Sequence, residues 1–162
     1  MPPLTAILHT CNDGVRLGRA LATLRPCDEI VVVDHGSSDD TLRVAREYSA
    51  RIRTADPLQP LGDDVGFAHH EWLLFLLPSE AISEALEATL YEWKRYAQRD
   101  VAEVSSCAVL VREETSQGWA ELQPSTRLVR RSWQRWDREF RLPLRDLESM
   151  LLDGDLLRFR TP

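Results

Sequence analysis

Asp34 ends a β-branched run, Glu29-Ile30-Val31-Val32-Val33, and His35-Gly36-Ser37-Ser38-Asp39-Asp40-Thr41 follows at once. A buried strand that delivers a carboxylate to the carboxyl edge of a sheet offers an acceptor to a nucleotide, and open α/β folds bind ligands at that edge. Gly36 and Ser37 supply the turn. Thr10 and Asn12 follow a second apolar run, Leu4 to Leu8, and reach the same edge if the two strands are parallel neighbours. Thr10, Asn12, Asp34, Gly36 and Ser37 are the candidate nucleotide contacts. The plainer alternative is that Asp34 accepts the backbone amides of its own turn and Thr10 and Asn12 only shape the first loop, with Asp39 read as a helix cap.

A second group is cationic. From Arg127 to Arg145 there are seven arginines against Asp137 and Glu139, in a chain whose net charge is −6. Guanidinium groups grip phosphate in bidentate fashion, so Arg127 and Arg130, flanking Leu128 and Val129 and expected on one face, are candidates for a diphosphate. Two other readings stand beside this: a solvated strand face, or an RNA surface with Trp133 and Trp136 as stacking platforms. The acidic balance argues against general nucleic-acid binding. His9, His35, His69 and His70 have no metal-ligand spacing and read as structural or surface groups.

These residues need elements to hold them. Strands are expected at Leu4–Leu8, Glu29–Asp34, Arg51–Thr54 and Trp72–Leu77. Helices are expected from Asp13 to Pro26, Asp39 to Ser49 and Glu80 to about Ala97. Asp56 to Gly66, with two prolines, two glycines and three aspartates, is a loop. Strand, helix, strand, helix, strand implies a parallel, doubly wound α/β sheet. Further on, Val101–Arg112 and Thr126–Arg131 read as strands, and Trp72 and Trp93 as core. Pro143 opens a last amphipathic helix, with Leu144, Leu147, Met150 and Leu151 on one face and Gly154 ending it. That helix packs on the domain or on a second copy as a homodimer contact.

At 162 residues, with 43% hydrophobic and 28% charged residues, the chain reads as one globular domain. Residues 1–100 form its nucleotide half and 101–162 its acceptor half. Cys11, Cys27 and Cys107 are odd in number without paired spacing, which suits a reducing cytoplasm. No stretch is apolar for long enough to span a bilayer.

Several motifs together carry a resemblance. Thr10-Cys11-Asn12-Asp13, then Val33-Asp34-His35-Gly36-Ser37-Ser38-Asp39-Asp40-Thr41, then the apolar strand Glu71 to Leu76, stand in order. Gly118-Trp119, Arg127-Leu128-Val129-Arg130-Arg131 and Trp136 follow. In this the chain resembles the family-2 glycosyltransferases of the GT-A fold, closest to the bacterial branch that includes lipopolysaccharide-core transferases.

The resemblance implies a GT-A-like, mostly parallel sheet flanked by helices and truncated. It also implies a nucleoside-diphosphate sugar as donor, and Mg²⁺ or Mn²⁺ held by an aspartate motif at the end of the fourth strand. Here Leu77-Pro78-Ser79-Glu80 occupies that motif, so Glu80 is the one metal ligand left. Phe140-Arg141-Leu142 stands where the branch has Val-His-Glu. Asp137 and Glu139 are then the candidate catalytic bases; Asp63 and Asp64 read as a solvated acidic loop, with substitute metal ligation as the alternative. A helix usual between the third and fourth strands is shortened away. Two functions follow from these matches and departures: a small glycosyltransferase, or an inactive relative that binds nucleotide or a protein partner.

Overall fold

The computed structural model describes the chain except for residues 1, 57, 59–63, 101–103 and 140 and the side chains of 97–100. Asp63 and Phe140 thus lie outside the described residues. Three apolar runs form the centre of one nine-stranded sheet: β1 (Leu4–Thr10), β2 (Glu29–Asp34) and β4 (Trp72–Leu76). Runs buried on both faces belong to central parallel strands, and β1 pairs in parallel with both β2 and β4. β3 (Arg51–Thr54) extends the sheet beside β2. Beyond β4 the sheet turns mixed, in the order β8 (Ser125–Arg130), β6 (Ser106–Thr115), β9 (Met150–Arg158), β5 (Glu80–Ile82), with β7 (Gly118–Glu121) hairpinned onto β6. This is a mixed α/β fold in which the parallel half is the half that the strand–helix alternation predicts.

Helices α1 (Leu17–Ala22), α2 (Thr41–Glu47) and α4 (Glu84–Asp100) cover one face over Leu8, Val32, Leu74 and Leu128. Trp72 and Trp93 meet edge to face there, 5.1 Å between centroids, as core side chains. The other face gathers Ile7, Val33, Phe75 and Val129 under Phe67, Trp133, Trp136 and Leu142. Between β3 and β4 only a four-residue helix, α3 (Asp64–Phe67), is described, in keeping with the expected shortening.

The expected last helix is a correction. Residues 143–149 are irregular and 150–158 form β9 between β6 and β5, so no carboxy-terminal helix exists to carry a dimer contact. Leu144, Leu147 and Leu151 have helical spacing but are exposed, while Leu152 and Leu156 are buried. The free edges of β6 and β5 outweighed the local period. Gly154 makes the crossing possible: its φ is +97°, and a Cβ there would lie 2.3 Å from the Leu86 amide nitrogen in the first turn of α4. The helix expected from Glu80 likewise begins later, because Glu80–Ile82 is spent as β5.

Glu80 itself is fully buried. Arg127 meets it with both terminal nitrogens, Nη1 to Oε1 at 2.6 Å and Nη2 to Oε2 at 2.9 Å. The Leu77 N–H donates to Oε1 and Arg158 to Oε2. Arg127 also donates to the Phe75 carbonyl and the Ser125 hydroxyl. Burial opposes ionisation of Glu80, but the charge and hydrogen bonds of Arg127, with the Leu77 amide and Arg158, outweigh it and hold the carboxyl below its ordinary range. The tip of β4, the start of β5, and strands β8 and β9 are tied through this one carboxylate.

At the opposite edge Glu29 is a second tie. It accepts from Thr5, Arg51 and the His69 amide. Burial raises its pKa, but these bonds and the nearby His69 prevail and bring it down to about 2.

Two outcomes are expected. Arg127→Met, which leaves buried Glu80 with only Arg158 and the Leu77 amide, lowers unfolding free energy in urea by about 3–5 kcal/mol, and adding Glu80→Leu recovers part of the loss. Because the folded pKa of Glu29 is depressed, its contribution is complete above the unfolded carboxylate pKa and is lost as pH falls toward 2. Glu29→Gln therefore flattens the acid limb of a stability–pH profile below about pH 4.5.

Candidate functional site

Parallel pairing in register sets Thr10 beside Asp34, with Leu8 beside Leu76. The loops leaving β1 and β2 are therefore neighbours, and their polar groups satisfy one another. Asp34 accepts from the Thr10 hydroxyl at 3.3 Å, from the Ser37 amide at 3.0 Å and from the Ser37 hydroxyl. Ser37 Oγ in turn accepts the Asn12 amide at 2.9 Å. Asn12 Oδ1 accepts the amides of Ser38 and Asp39.

Two positions take the left-handed conformation that such loops need, Asn12 at φ +55° and Gly36 at φ +83°. Asp39 ties the loops once more. It accepts the Thr41 amide that opens α2 and the Gly14 amide of the first loop. A Cβ on Gly14 would stand 3.0 Å from Asp39 Oδ2 and 3.1 Å from the Thr41 amide nitrogen, so the two loops approach closely there.

All five expected nucleotide residues come together here. Their roles separate by exposure. Asp34 and Thr10 are buried and build the shelf from beneath, whereas Asn12 and Gly36 are exposed on it and Ser37 is half-buried between them.

The same edge holds groups that the sequence reading set aside. His9 Nδ1 and His35 Nε2 lie 2.8 Å apart, with the rings tilted 33°. Burial, with His35 and the charge of Arg141 adding to it, pulls the His9 pKa down to about 3, so the imidazole is neutral in ordinary buffers. Burial first, and then Arg141, also lowers that of His35. The register brings the two histidines together: His9 pairs with Val33 across the ladder, two residues before His35.

Arg141 is carried by a turn in which the Asp137 amide donates to the Leu142 carbonyl and the Arg141 amide to Asp137 Oδ1. Trp136 stacks edge to face on Phe75, 5.2 Å between centroids, and Leu142 enters the same apolar layer, which fixes this turn over the sheet. Asp137 is thus occupied with its own turn. Glu139 is 70% exposed and pairs with Arg141 Nε at 3.1 Å. Trp133 and Trp136 donate their indole N–H groups to nearby carbonyls and cover the sheet rather than standing free as stacking platforms.

Three candidates are corrected by geometry. Arg127 and Arg130 do not come together: β8 bulges against β6 at Arg127, and the two guanidinium groups have different partners. Arg127 lies within the protein on Glu80. Arg130 pairs with Trp72 at the amino end of β4 and sits over that indole at 4.6 Å, far along the strand from Asp34. Glu80 has both oxygens committed to Arg127, Arg158 and the Leu77 amide, so it is not a metal ligand.

The divalent cation that the fold implies does not fit the residues present. Leu77 has no donor atom, and no group of three or more His, Cys, Asp or Glu among the described residues converges as a metal site. Asp64 is paired with Arg53 at 2.9 Å, and Asp63 is not among those residues.

Comparison with known proteins agrees with this architecture. No protein-family model matches the chain. An uncharacterised glycosyltransferase of Rickettsia felis is 29% identical over 92 residues, 54% of this chain and 32% of that protein. The lipopolysaccharide core biosynthesis glycosyltransferase LpsC of Rhizobium meliloti is 39% identical over 46 residues, 28% of this chain and 17% of its own length. The chain thus spans about a third or less of these relatives.

Among solved structures, a mycobacterial protein superimposes with a TM-score of 0.64 and 15% identity over 98% of this chain and 65% of its own. Glucosyl-3-phosphoglycerate synthase of Mycobacterium tuberculosis, solved with Mn²⁺, UDP and glucosyl-3-phosphoglycerate, gives 0.52 and 16% over 68% of this chain and 44% of its own. Among the described residues no helix is long and apolar enough to cross a membrane. Over these stretches the chain is similar in sequence to bacterial glycosyltransferases, and its fold is GT-A-like.

Proposed function

We propose that this chain binds a nucleoside diphosphate or its sugar ester on the shelf formed by the loops after β1 and β2. One observation carries the reading: Thr10 and Asp34 are in register, and the network they start leaves Asn12, Gly36 and Ser37 on a rigid edge. A preorganised shelf spends little entropy on binding. Residues 1–100 supply it, and residues 101–162 lay the Asp137–Leu142 turn across from it as the acceptor side. The likeness to a synthase crystallised with UDP supports the same ligand class.

Sugar transfer by this chain is a second reading, favoured by Glu139, an exposed carboxylate at the same edge. A transferase that inverts needs such a group to take the acceptor proton. Against it stands the engagement of Glu80, which removes the usual means of stabilising the departing diphosphate.

Calorimetry with UDP, GDP and dTDP tests the reading. One of them is expected to bind, and Asp34→Ala, which frees Thr10 and the Ser37 amide, to weaken it by roughly tenfold or more. Absence of binding by all three, with the fold intact by circular dichroism, overturns it. Sugar release from UDP-glucose that Glu139→Gln abolishes is the outcome expected of the second reading.

A further inference from the structure

We infer, building on the nucleotide reading above, that this chain holds the diphosphate without a divalent cation and that the Arg141 guanidinium is the positive group facing it. The charge problem is general. A diphosphate brought to a sheet edge needs a cation, and the tip of β4 offers none: Leu77 is apolar and Glu80 is enclosed by two arginines. Of the arginines in the basic segment, Arg127 is buried on Glu80, Arg130 lies at the amino end of β4, and Arg131 bonds the Ala68 carbonyl.

Arg141 differs in place and in partners. Asp137 holds its backbone amide, and Trp136 and Leu142 pack on the sheet face that carries Ile7, Val33 and Phe75, the face over β1, β2 and β4. Its charge acts on His9 and His35, which adjoin Thr10 and Asp34. Among the described residues its side chain makes one polar contact, Nε to Glu139. The fork of Nη1 and Nη2 therefore remains for a phosphate, the geometry in which arginine binds best.

The ion pair with Glu139 competes by charge, drawing the guanidinium through Nε without occupying its fork. That carboxylate is mostly in water, where an ion pair is weak, so a diphosphate can displace it. The neutral His9–His35 pair adds hydrogen-bonding capacity beside the fork without adding charge. The arrangement thus replaces a metal ion by a side chain, and Glu139 sets how strongly that side chain is engaged before the ligand arrives.

The test uses the full chain and titrates UDP, GDP and dTDP in excess EDTA and again with Mn²⁺. The expected result is the same affinity in both conditions to within about twofold. Arg141→Gln should weaken the binding nucleotide roughly tenfold or more and leave the matching nucleoside unchanged, as loss of a charge-assisted bond to phosphate requires. Glu139→Gln should tighten it, an effect that a structural role for the pair does not produce. Circular dichroism melts of both variants establish that the fold is kept.

Binding that needs Mn²⁺ overturns the inference while leaving the nucleotide reading intact. So does unchanged affinity in Arg141→Gln. Failure of all three nucleotides under every condition overturns both.

Discussion

Two strands that end side by side leave unpaired backbone donors at the edge, and here the two following loops satisfy each other. Asp34 and Asn12 carry most of that exchange, and Asp39 closes it from the second loop to Gly14. Everything proposed for the molecule rests on this mutual fastening. Were β1 and β2 shifted by one residue, Thr10 and Asp34 would face opposite sides and no shelf would exist. The register is in turn secured by Val31, Val32 and Val33 against Ile7 and Leu8, so core packing fixes the geometry of the polar edge.

The second determinant is the fate of one carboxylate. A glutamate just beyond a central strand can face outward and bind a cation, or turn inward and bind arginine. Glu80 turns inward, and four elements meet on it. The sheet gains a cross-tie between its parallel and mixed halves. It loses an acidic group at the very place where an anionic ligand would bring its counter-ion. Stability and cation chemistry draw on the same two oxygens and exclude each other.

The sequence was most legible where local and long-range preferences agreed. The runs Leu4–Leu8, Glu29–Asp34 and Trp72–Leu77 could hardly be anything but central strands, and the loop residues Thr10, Asn12, Asp34, Gly36 and Ser37 followed from their ends. Where the two preferences disagreed, the reading failed. Leu144, Leu147 and Leu151 repeat like a helix, but β6 and β5 needed a partner strand, and sheet hydrogen bonds settled the matter for residues 150–158. Arg127 looked like a surface cation because nothing nearby in sequence announces Glu80, 47 residues away. His9 and His35 were passed over for a similar reason, since their 2.8 Å contact depends on a ladder that joins residues 26 apart.

The enclosed glutamate also acts as a ratchet. Placing an acid at position 77 again would supply one oxygen donor beside a neighbour that two guanidinium groups still hold. Releasing that neighbour means discarding both Arg127 and Arg158, and loss of Arg127 alone leaves a buried carboxylate with only Arg158 and the Leu77 amide. Giving this sheet edge a cation site therefore takes several substitutions together, because each arginine removed alone weakens the interior that Glu80 ties.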